Sequence, residues 1–593
     1  MISKEKQTVL NNSRRFKKAA IIGFVTAFVI LIAANLLSAY LFIRIDLTND
    51  KRHSISKETI KILKELDDKI YIKVYLKGSG LPADYQLFAE ETRAMLQEIR
   101  SYSKNIYFEF IDPVAGKGKE EIRSVYNEFI KKGLRPQPIT REDETGISTR
   151  YVLPGAIITY KNSEYPVVLM VSDPSHSDWL QYSIQELEYN LVATIRKLVH
   201  PVKPKVAFLN GHGELNFLNT SWMAWQLQRF YNVEFIELKG KVNTLKEIEL
   251  ADSSQNEIKI RGNKYDVLIV AQPTLPFNSV DNYIIDQHIM YGGKVLWLID
   301  ASTASIDSLQ NSPEQFAVLR NLNLNNLFFR YGVRFNANIV QDLSCQSIPL
   351  GMGEIAGKTQ YKFFAFPYAL DIVNFSTHTI VRKMKEIKSE FAGTIDFVGN
   401  DENLQKTVLM TTSEHTKLVS VPAIVTLNVA RAKPNIEEFA FKNQPVAVLV
   451  EGTFKSAFDK LLPATFDTIK QFGFKAESPL TRQIFIADGD IIRNYVDPKS
   501  NQPMPAGFDF YSGKSYDNSD LIMNCVNYLC SDNDLLQIRS KIFKIGSLDK
   551  TKILKQQTFY AVFNIVAPLL LILIAAGVLI IWRNIRYGRR RIA

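Results

Sequence analysis

Residues 265–300 read YDVLIVAQPTLPFNSVDNYIIDQHIMYGGKVLWLID, and this stretch decides the fold. Its two ends, Tyr265–Pro273 and Lys294–Asp300, are short apolar runs without polar alternation. Strands of that kind are buried on both faces. Between them SVDNYIIDQHIMYGG is a helix, closed by Gly292 and Gly293 where a C-cap favours glycine. Strand, helix and strand in that order give a parallel pair with a crossover.

The same rhythm extends outward. KVAFLN (Lys205–Asn210) is a strand that runs into Gly211, His212, Gly213 and Glu214. A helix carrying Trp222, Trp225 and Leu227 follows, then YNVEFIEL as a strand. Residues 201–340 are therefore the first part of a doubly wound, flavodoxin-like α/β domain. PVAVLVEG (Pro445–Gly452), RQIFIADGD (Arg482–Asp490) and a helix over Leu521–Cys530 supply its second part, 441–532. The intervening residues 341–440 lose the helices and read as a β-rich insertion, with HTIVRKM (His378–Met384) and KTVLMTT (Lys406–Thr412) as short strands. The loop Asp497–Asp520 is long and turn-rich.

Residues 69–200 show the order βαβαββα, that of a thioredoxin-like domain. The loop where a redox CxxC would sit reads Gly78-Ser79-Gly80-Leu81-Pro82-Ala83, so redox chemistry is not expected. The same loop fits G-x-G-x-x-A, but Pro82 interrupts it and the nearest strand-end acid, Asp112, comes about 30 residues on rather than ~20. A tight turn is the simpler reading. Before this domain, residues 44–68 form a connector whose Ser56, Glu58, Ile60, Leu63 and Leu66 predict a short amphipathic helix.

Two uncharged apolar runs bracket all of this, Ala19–Ile43 and Thr558–Trp582, each longer than the ~20 residues a spanning helix needs. The first exceeds a signal-peptide core and lacks a clear cleavage site, which predicts an uncleaved anchor. Residues 1–18 hold six basic residues against one acid, and residues 583–593 hold five arginines and no acid. The positive-inside rule then keeps both tails cytoplasmic and puts the bulk of the chain in the periplasm, anchored in the inner membrane. Residues 533–557 read as a stalk leading to the second span. Asn35, Asn564 and the kinking Pro568 lie within the spans and predict contacts with partner helices. The tails account for most of the net charge of +11, so the near-neutral middle gives no support to nucleic-acid binding. The three cysteines, Cys345, Cys525 and Cys530, do not make a disulfide framework.

Two motifs carry possible chemistry. GMGEIAGKT (Gly351–Thr359) looks like a phosphate loop, but Gly351 stands six positions and Gly353 four before Gly357, where the motif needs five. YKFFAFPY follows it instead of a helix, and the segment lies outside the ATP-containing compartment. ATP hydrolysis must come from another chain. The second feature is the C-terminal edge of the predicted strands, with Asn210, His212, Glu214, Asp300, Asp488 and Asp490. Ligands bind at that edge in open α/β sheets, and these side chains suit a polar ligand or a divalent cation. Asp and Asn also cap helices and close turns there, which is the commoner use. No G-x-S-x-G or G-x-C-x-G elbow occurs, so no catalytic residue, metal or cofactor is assigned and the chain is not expected to be an enzyme.

Seven segments together carry a resemblance to a known family: RIDLTNDKRHSIS (44–56), FLNGHGEL (208–215), YDVLIVAQPTLPF (265–277), IDQHIMYGGKVLWLID (285–300), RYGVRFNANIVQD (330–342), IADGDIIRN (486–494) and IRSKIFKIGSLDK (538–550). The chain resembles the GldG family, the gliding-motility-associated ABC transporter auxiliary proteins of Bacteroidota. The resemblance implies a cytoplasmic GldA-like ATPase and a GldF-like permease as partners. It also implies an amidotransferase-like domain without the catalytic cysteine, and the nucleophile position is empty here too. The expected function is a non-catalytic periplasmic subunit of an ABC-type complex. The alternatives are an envelope scaffold that transports nothing and a degenerate hydrolase acting on envelope components.

Overall fold

A computed structural model describes residues 21–26, 28–32, 55–78, 81–134, 136–143, 146–161, 163–170, 179–199, 203–251, 257–355, 358–399, 401–459, 473–497, 502–530, 538 and 550–588. The chain divides into two units, residues 1–542 and 543–593.

The first unit opens with helix α1 (Lys57–Lys64), whose N-cap Ser56 accepts the Thr59 N–H at 3.1 Å. Strands β1 (Ile70–Val74) and β2 (Ile106–Phe110) pair in parallel around helix α2 (Ala83–Tyr102). Helix α3 (Lys119–Lys131) and an isolated hairpin, Gln137–Asp143 with Gly146–Val152, precede β3 (Gly155–Tyr160) and β4 (Ser163–Val168). The four strands form one sheet in the order β2-β1-β3-β4, antiparallel from β1 onward. Helix α4 (Trp179–Val199) closes this part. Its buried Glu188 accepts the Ser56 N–H at 2.7 Å and the Thr59 hydroxyl at 2.7 Å, tying α1 to α4.

The second sheet has eight strands. β5 (Lys205–Asn210) and helix α5 (Phe217–Gln228) lead to β6 (Asn232–Glu237). β7 (Val267–Ala271), helix α6 (Ser279–Met290) and β8 (Lys294–Leu298) follow. The remaining strands are β9 (Asn374–Phe375), β10 (Leu404–Thr411), β11 (Pro445–Gly452) and β12 (Thr481–Ile486). The order is β9-β10-β11-β12-β8-β7-β5-β6. From β12 to β6 every pairing is parallel, and from β12 to β9 every pairing is antiparallel. Alternate residues feed two separate cores. Val206, Phe208, Ile269, Leu296, Ile484 and Ile486 pack with α5 and helix α7 (Asn518–Leu529) on one face. Ala207, Leu209, Leu268, Trp297 and Phe485 pack with α6 on the other. Burial on both faces is why these strands carry continuous apolar runs.

Three expectations need correction. The sheet is mixed, because β11 pairs antiparallel with β12 and β10 and β9 extend it in the same manner. Those two strands lie within the 341–440 stretch expected as a separate insertion, so that stretch contributes to the sheet as well as standing beside it. HTIVRKM is not a strand. Its chain turns, with Val381 and Arg382 N–H groups donating to the His378 carbonyl at 3.0 and 2.9 Å. The turn drives Ile380 and Val381 into the core, and that packing overrides the β-propensity of the segment. The phosphate-loop look-alike lies in a long antiparallel hairpin, Cys345–Ile355 with Lys358–Ile372. A phosphate loop leads into a helix, and this segment leads into a 15-residue strand.

Helix α6 is buried on every side. Asp281, Asn282, Asp286, Gln287 and His288 are all buried with its apolar residues. Asp286 is satisfied by the Ser456 hydroxyl at 2.6 Å, the Ala457 N–H at 2.8 Å and the Tyr331 hydroxyl at 2.9 Å. His288 is fully buried, among the described residues neither ring nitrogen has a hydrogen-bond partner, and burial pulls its pKa down to about 4. Its ring fills the space over Gly293.

Cys345 and Cys525 are free thiols. The second unit contains helix α8 (Lys550–Gly588), in which Val562–Arg583 is long and apolar enough to cross a membrane. Pro568 lies inside it, and Asn564 is exposed on it. Of the first apolar run, residues 21–26 and 28–32 are helical. Asn35 and both basic tails up to Lys18 and beyond Gly588 lie outside the described residues.

A Cβ at Gly293 would stand 2.3–2.5 Å from three atoms of the His288 ring. Gly293→Ala is expected to lower stability by about 1–3 kcal/mol, the usual range for an overpacked core. His288→Ala in the same chain should recover part of that loss. Denaturant unfolding of the two variants and their combination measures the coupling; simple additivity would show that the ring is not the obstacle.

Candidate functional site

The strand-end residues named from sequence separate into two groups. Asn210 belongs to neither. It ends β5 in register with Glu237 and makes no side-chain hydrogen bond among the described residues.

The first group is built on the turn after β5. Gly211 and Gly213 have φ of +113° and +72°, conformations that favour glycine. They let the chain fold back so that His212 points inward and is 6 % exposed. The His212 N–H donates to Glu214 Oε2 at 2.6 Å. Its ring Nδ1 lies 3.3 Å from Glu214 Oε1 and Nε2 lies 3.1 Å from Asp281 Oδ2. The ring stacks on Phe277 with centroids 3.8 Å apart and planes 11° off parallel. Burial pulls the imidazole down, but hydrogen bonds and charge from Glu214, then Asp281, outweigh it and the net shift is upward. Both ring nitrogens face carboxylate oxygens, an arrangement that favours the protonated ring.

Asp281 is the member that sequence reasoning missed. It sits in the first turn of α6, where its N–H donates to the N-cap Asn278 at 2.8 Å. Its own carboxylate accepts from Asn278 Nδ2 at 2.7 Å and from the Gly240 N–H at 3.0 Å. The N-S-V-D spacing is a capping signal that could have placed Asp281 at a helix start. With both ring nitrogens occupied, His212 fastens the β5 turn to α6 and is not available as a metal ligand.

The second group is Asp300, Asp488 and Asp490, at the ends of β8 and β12. One carboxylate oxygen from each lies within 4.8 Å of the others. Asp300 Oδ1 accepts the Gly489 N–H at 2.5 Å and its Oδ2 accepts Gln272 Nε2 at 2.8 Å. Asp488 accepts the Asp490 N–H at 2.8 Å and the Glu390 N–H at 3.0 Å. Arg493 lies 3.5 Å from Asp490 Oδ1 and is shared with Asp307 at 2.9 Å, and Arg320 adds positive charge near Asp300. Burial first, then mutual repulsion, pushes Asp488 up to about 8 and Asp490 well above the carboxylate range. Burial raises Asp300 as well, against the Gly489 and Gln272 hydrogen bonds. Three carboxylates this close, two buried and one half-buried, cannot all be ionised without added positive charge. The group either retains protons or holds a hard divalent cation, for which oxygen ligands are suited. Gln272 and Glu390 come from two further segments, to which no sequence spacing pointed, while Arg493 follows Asp490 by three residues on the same segment.

The family model of an ABC-type uncharacterized transport system matches residues 203–525, which span the whole eight-stranded sheet. A model of a domain of unknown function matches residues 49–159. An uncharacterized protein of Borreliella burgdorferi is 24% identical over 431 residues, covering 70% of this chain and 74% of its own. Among solved structures, the mmIFT52 N-terminal domain aligns at 13% identity and a TM-score of 0.29, covering 55% of this chain and 96% of its own. The exo-beta-1,4-mannosidase Op5Man5 from Opitutaceae bacterium strain TAV5 aligns at 10% identity and a TM-score of 0.17, covering 78% and 50%. Scores this low establish neither a shared fold nor a shared activity.

Two outcomes follow from the geometry. His212→Leu leaves Glu214 facing Asp281 without a cation and is expected to cost about 3 kcal/mol. A raised imidazole stabilises the fold fully below the ordinary value of ~6.5 and loses that contribution as pH rises through the folded value. The gap between wild type and variant in urea unfolding should therefore narrow above that pH; a constant gap would argue against a charged ring. The acid group has the opposite origin and the same direction. Its carboxylates hold protons that the unfolded chain releases above ~4, so stability falls as pH rises toward about 8. Asp300→Asn can keep both hydrogen bonds if the Gln272 amide turns over. In chelator, it should fold and show a shallower loss of stability between pH 5 and 8.

Proposed function

Since the chain belongs to the ABC-type uncharacterized transport system family, we propose that it is a non-catalytic auxiliary subunit of an ABC-type transporter. The observation that carries this reading is the match over the eight-stranded sheet. The ATPase and permease are separate chains, GldA-like and GldF-like, and the complex serves gliding motility as in the GldG family. Its N-terminal part is a thioredoxin-like module without the redox pair, a reading supported by the β2-β1-β3-β4 order. Helix α8 and the apolar run at 19–43 anchor it in the inner membrane, with the bulk of the chain in the periplasm and both termini inside. The apolar Val562–Arg583 segment supports the second anchor. The non-catalytic reading is supported by the use of His212, Glu214 and Asp281 to hold a turn against a helix.

A second reading rests on the carboxylate trio. A divalent cation held by Asp300, Asp488 and Asp490 could activate water, and the chain would then be a hydrolase of envelope components. Magnesium or calcium added at pH 8 would stabilise the wild type and spare Asp300→Asn. An equal response from both removes the cation site and this reading with it.

Affinity purification of the full chain in mild detergent tests the transporter assignment. An ATPase and a permease are expected to co-purify. Replacing residues 558–582 with a plain Leu/Ala span, which removes Asn564 and Pro568, should weaken recovery of the permease. Recovery of an envelope protein without either transporter component would instead establish the scaffold alternative.

A further inference from the structure

The long hairpin Cys345–Ile355 with Lys358–Ile372 runs out past the core that roots it. Among the described residues one further strand joins it, Ile387–Glu390, and that strand reaches only Ala369–Ile372. Cross-strand partners share a face of the ladder, and successive residues alternate between faces. One face carries Ile348 opposite Phe364 and Leu350 opposite Lys362. Its Ile348, Leu350 and Phe364 pack on a core that holds Phe366 and Tyr368. The other face carries Pro349 opposite Phe363 and Gly351 opposite Tyr361. Gly351 has no side chain to cover the tyrosine ring. Phe363 is 52% exposed, Tyr361 66%, and Met352, where the register shifts, 57%.

Beyond Leu350 burial ends. Residues 351–354 and 359–363 are all exposed, whichever face they occupy. Residues 351–355 carry the arm about 15 Å past Leu350. A two-stranded hairpin that buries neither face is marginal in water, and an apolar one that projects marks a contact surface.

The covering medium can be read from shape, area and charge. A protein groove covers one face of a strand pair, while a bilayer boundary surrounds an inserted tip on every side. The three apolar side chains expose on the order of 350 Å² together, well under the ~800 Å² per partner of a stable protein interface. A chain held at a bilayer by another segment needs far less area, because its second contact is intramolecular. The side chains flanking the arm are basic. Arg431 is exposed and donates from Nη2 to the Gly351 carbonyl at 3.1 Å. Lys362 is exposed, its ammonium 5.4 Å from the centroid of the Phe364 ring. Glu354 is the one acid among residues 345–365. Aromatic rings with long basic side chains beside them suit the boundary between headgroups and acyl chains. The outer edges of a lone hairpin keep N–H and C=O groups that hydrocarbon cannot satisfy, which limits entry to that depth.

We propose that this hairpin tip is a second membrane contact, resting on the anchoring by α8 proposed above: Met352, Tyr361 and Phe363 enter the headgroup boundary of an anionic bilayer, and Lys362 and Arg431 meet its phosphates. The contact adds to the spanning helix and would hold the β-rich 341–440 stretch against the membrane surface.

The test uses the full chain in lipid nanodiscs, with Cys345→Ser and Cys530→Ser as background. Thr359→Cys, next to Tyr361 but one and exposed, carries an environment-sensitive fluorophore. Leu480→Cys, 80% exposed, carries it as the control. In discs containing phosphatidylglycerol, the label at 359 is expected to shift to the blue and to be quenched by spin-labelled lipid, while the control is not. Tyr361→Ser with Phe363→Ser should bring quenching at 359 down to the control level, and Phe363→Ser alone serves if the double variant unfolds. Lys362→Gln with Arg431→Gln should abolish the difference between phosphatidylglycerol and phosphatidylcholine discs. Incorporation into the discs reports on α8 and quenching on the arm, so the two readings fail separately. Equal quenching at 359 and 480 overturns the proposal. A blue shift at 359 without quenching by lipid assigns the arm to a protein surface and overturns it too. Equal quenching in the two lipids for the unsubstituted arm removes the role given to Lys362 and Arg431.

Discussion

The constraint on which the structure depends is that its large sheet is covered on both faces. The apolar side chains of β5, β7, β8 and β12 enter one of two cores, with α5 and α7 on one side and α6 on the other. A polar side chain is tolerated in those strands only where it finds a partner, as Gln483 does with the Trp297 indole at 2.9 Å. Polar and ionisable groups are therefore displaced to the strand ends. The concentration of His212, Glu214, Asp300, Asp488 and Asp490 at one edge follows from that exclusion before any function is considered.

The polar groups at this edge then do structural work with a cost attached. His212, Glu214 and Asp281 form a buried charged set that holds the β5 turn against α6. Buried ion pairs are modest contributors compared with apolar packing, but they are severe penalties when one partner is lost. That asymmetry makes the His212 turn a point of specificity: α6 can dock in the orientation that brings Asp281 to the imidazole, and any other leaves charge uncompensated. Helix α6 repeats the logic at its centre, where Asp286 collects three donors from two other segments.

The carboxylate trio differs from the histidine group in balance. There, one cation meets two anions and each atom has a partner. Here, three acids face each other with one arginine at the margin. Backbone N–H groups from Gly489, Asp490 and Glu390 supply part of the missing positive potential. Protons or a cation must supply the rest.

The apolar runs and the turns between them were legible without coordinates. Val, Ile and Leu in short unbroken stretches, separated by helical periods and glycines, allow little besides a parallel sheet buried on both faces. The Ser56 cap, the helix before Gly292 and the apolar segment 562–583 are equally local, since propensity and capping act within a few residues. The antiparallel extension was not legible, because β9 and β10 are recruited from a stretch whose composition gives no sign of which sheet it will join. The turn at His378–Met384 was misread for the same reason, its β-branched residues being spent on filling a core. At the candidate site, the sequence marked the strand-end acids and the histidine as residue types. Only the tertiary structure decided that Asp281 closes on His212 from a different element and that the remaining acids meet each other instead. Charge pairing depends on distance in space, and residues 69 and 188 positions apart are brought together by the sheet alone.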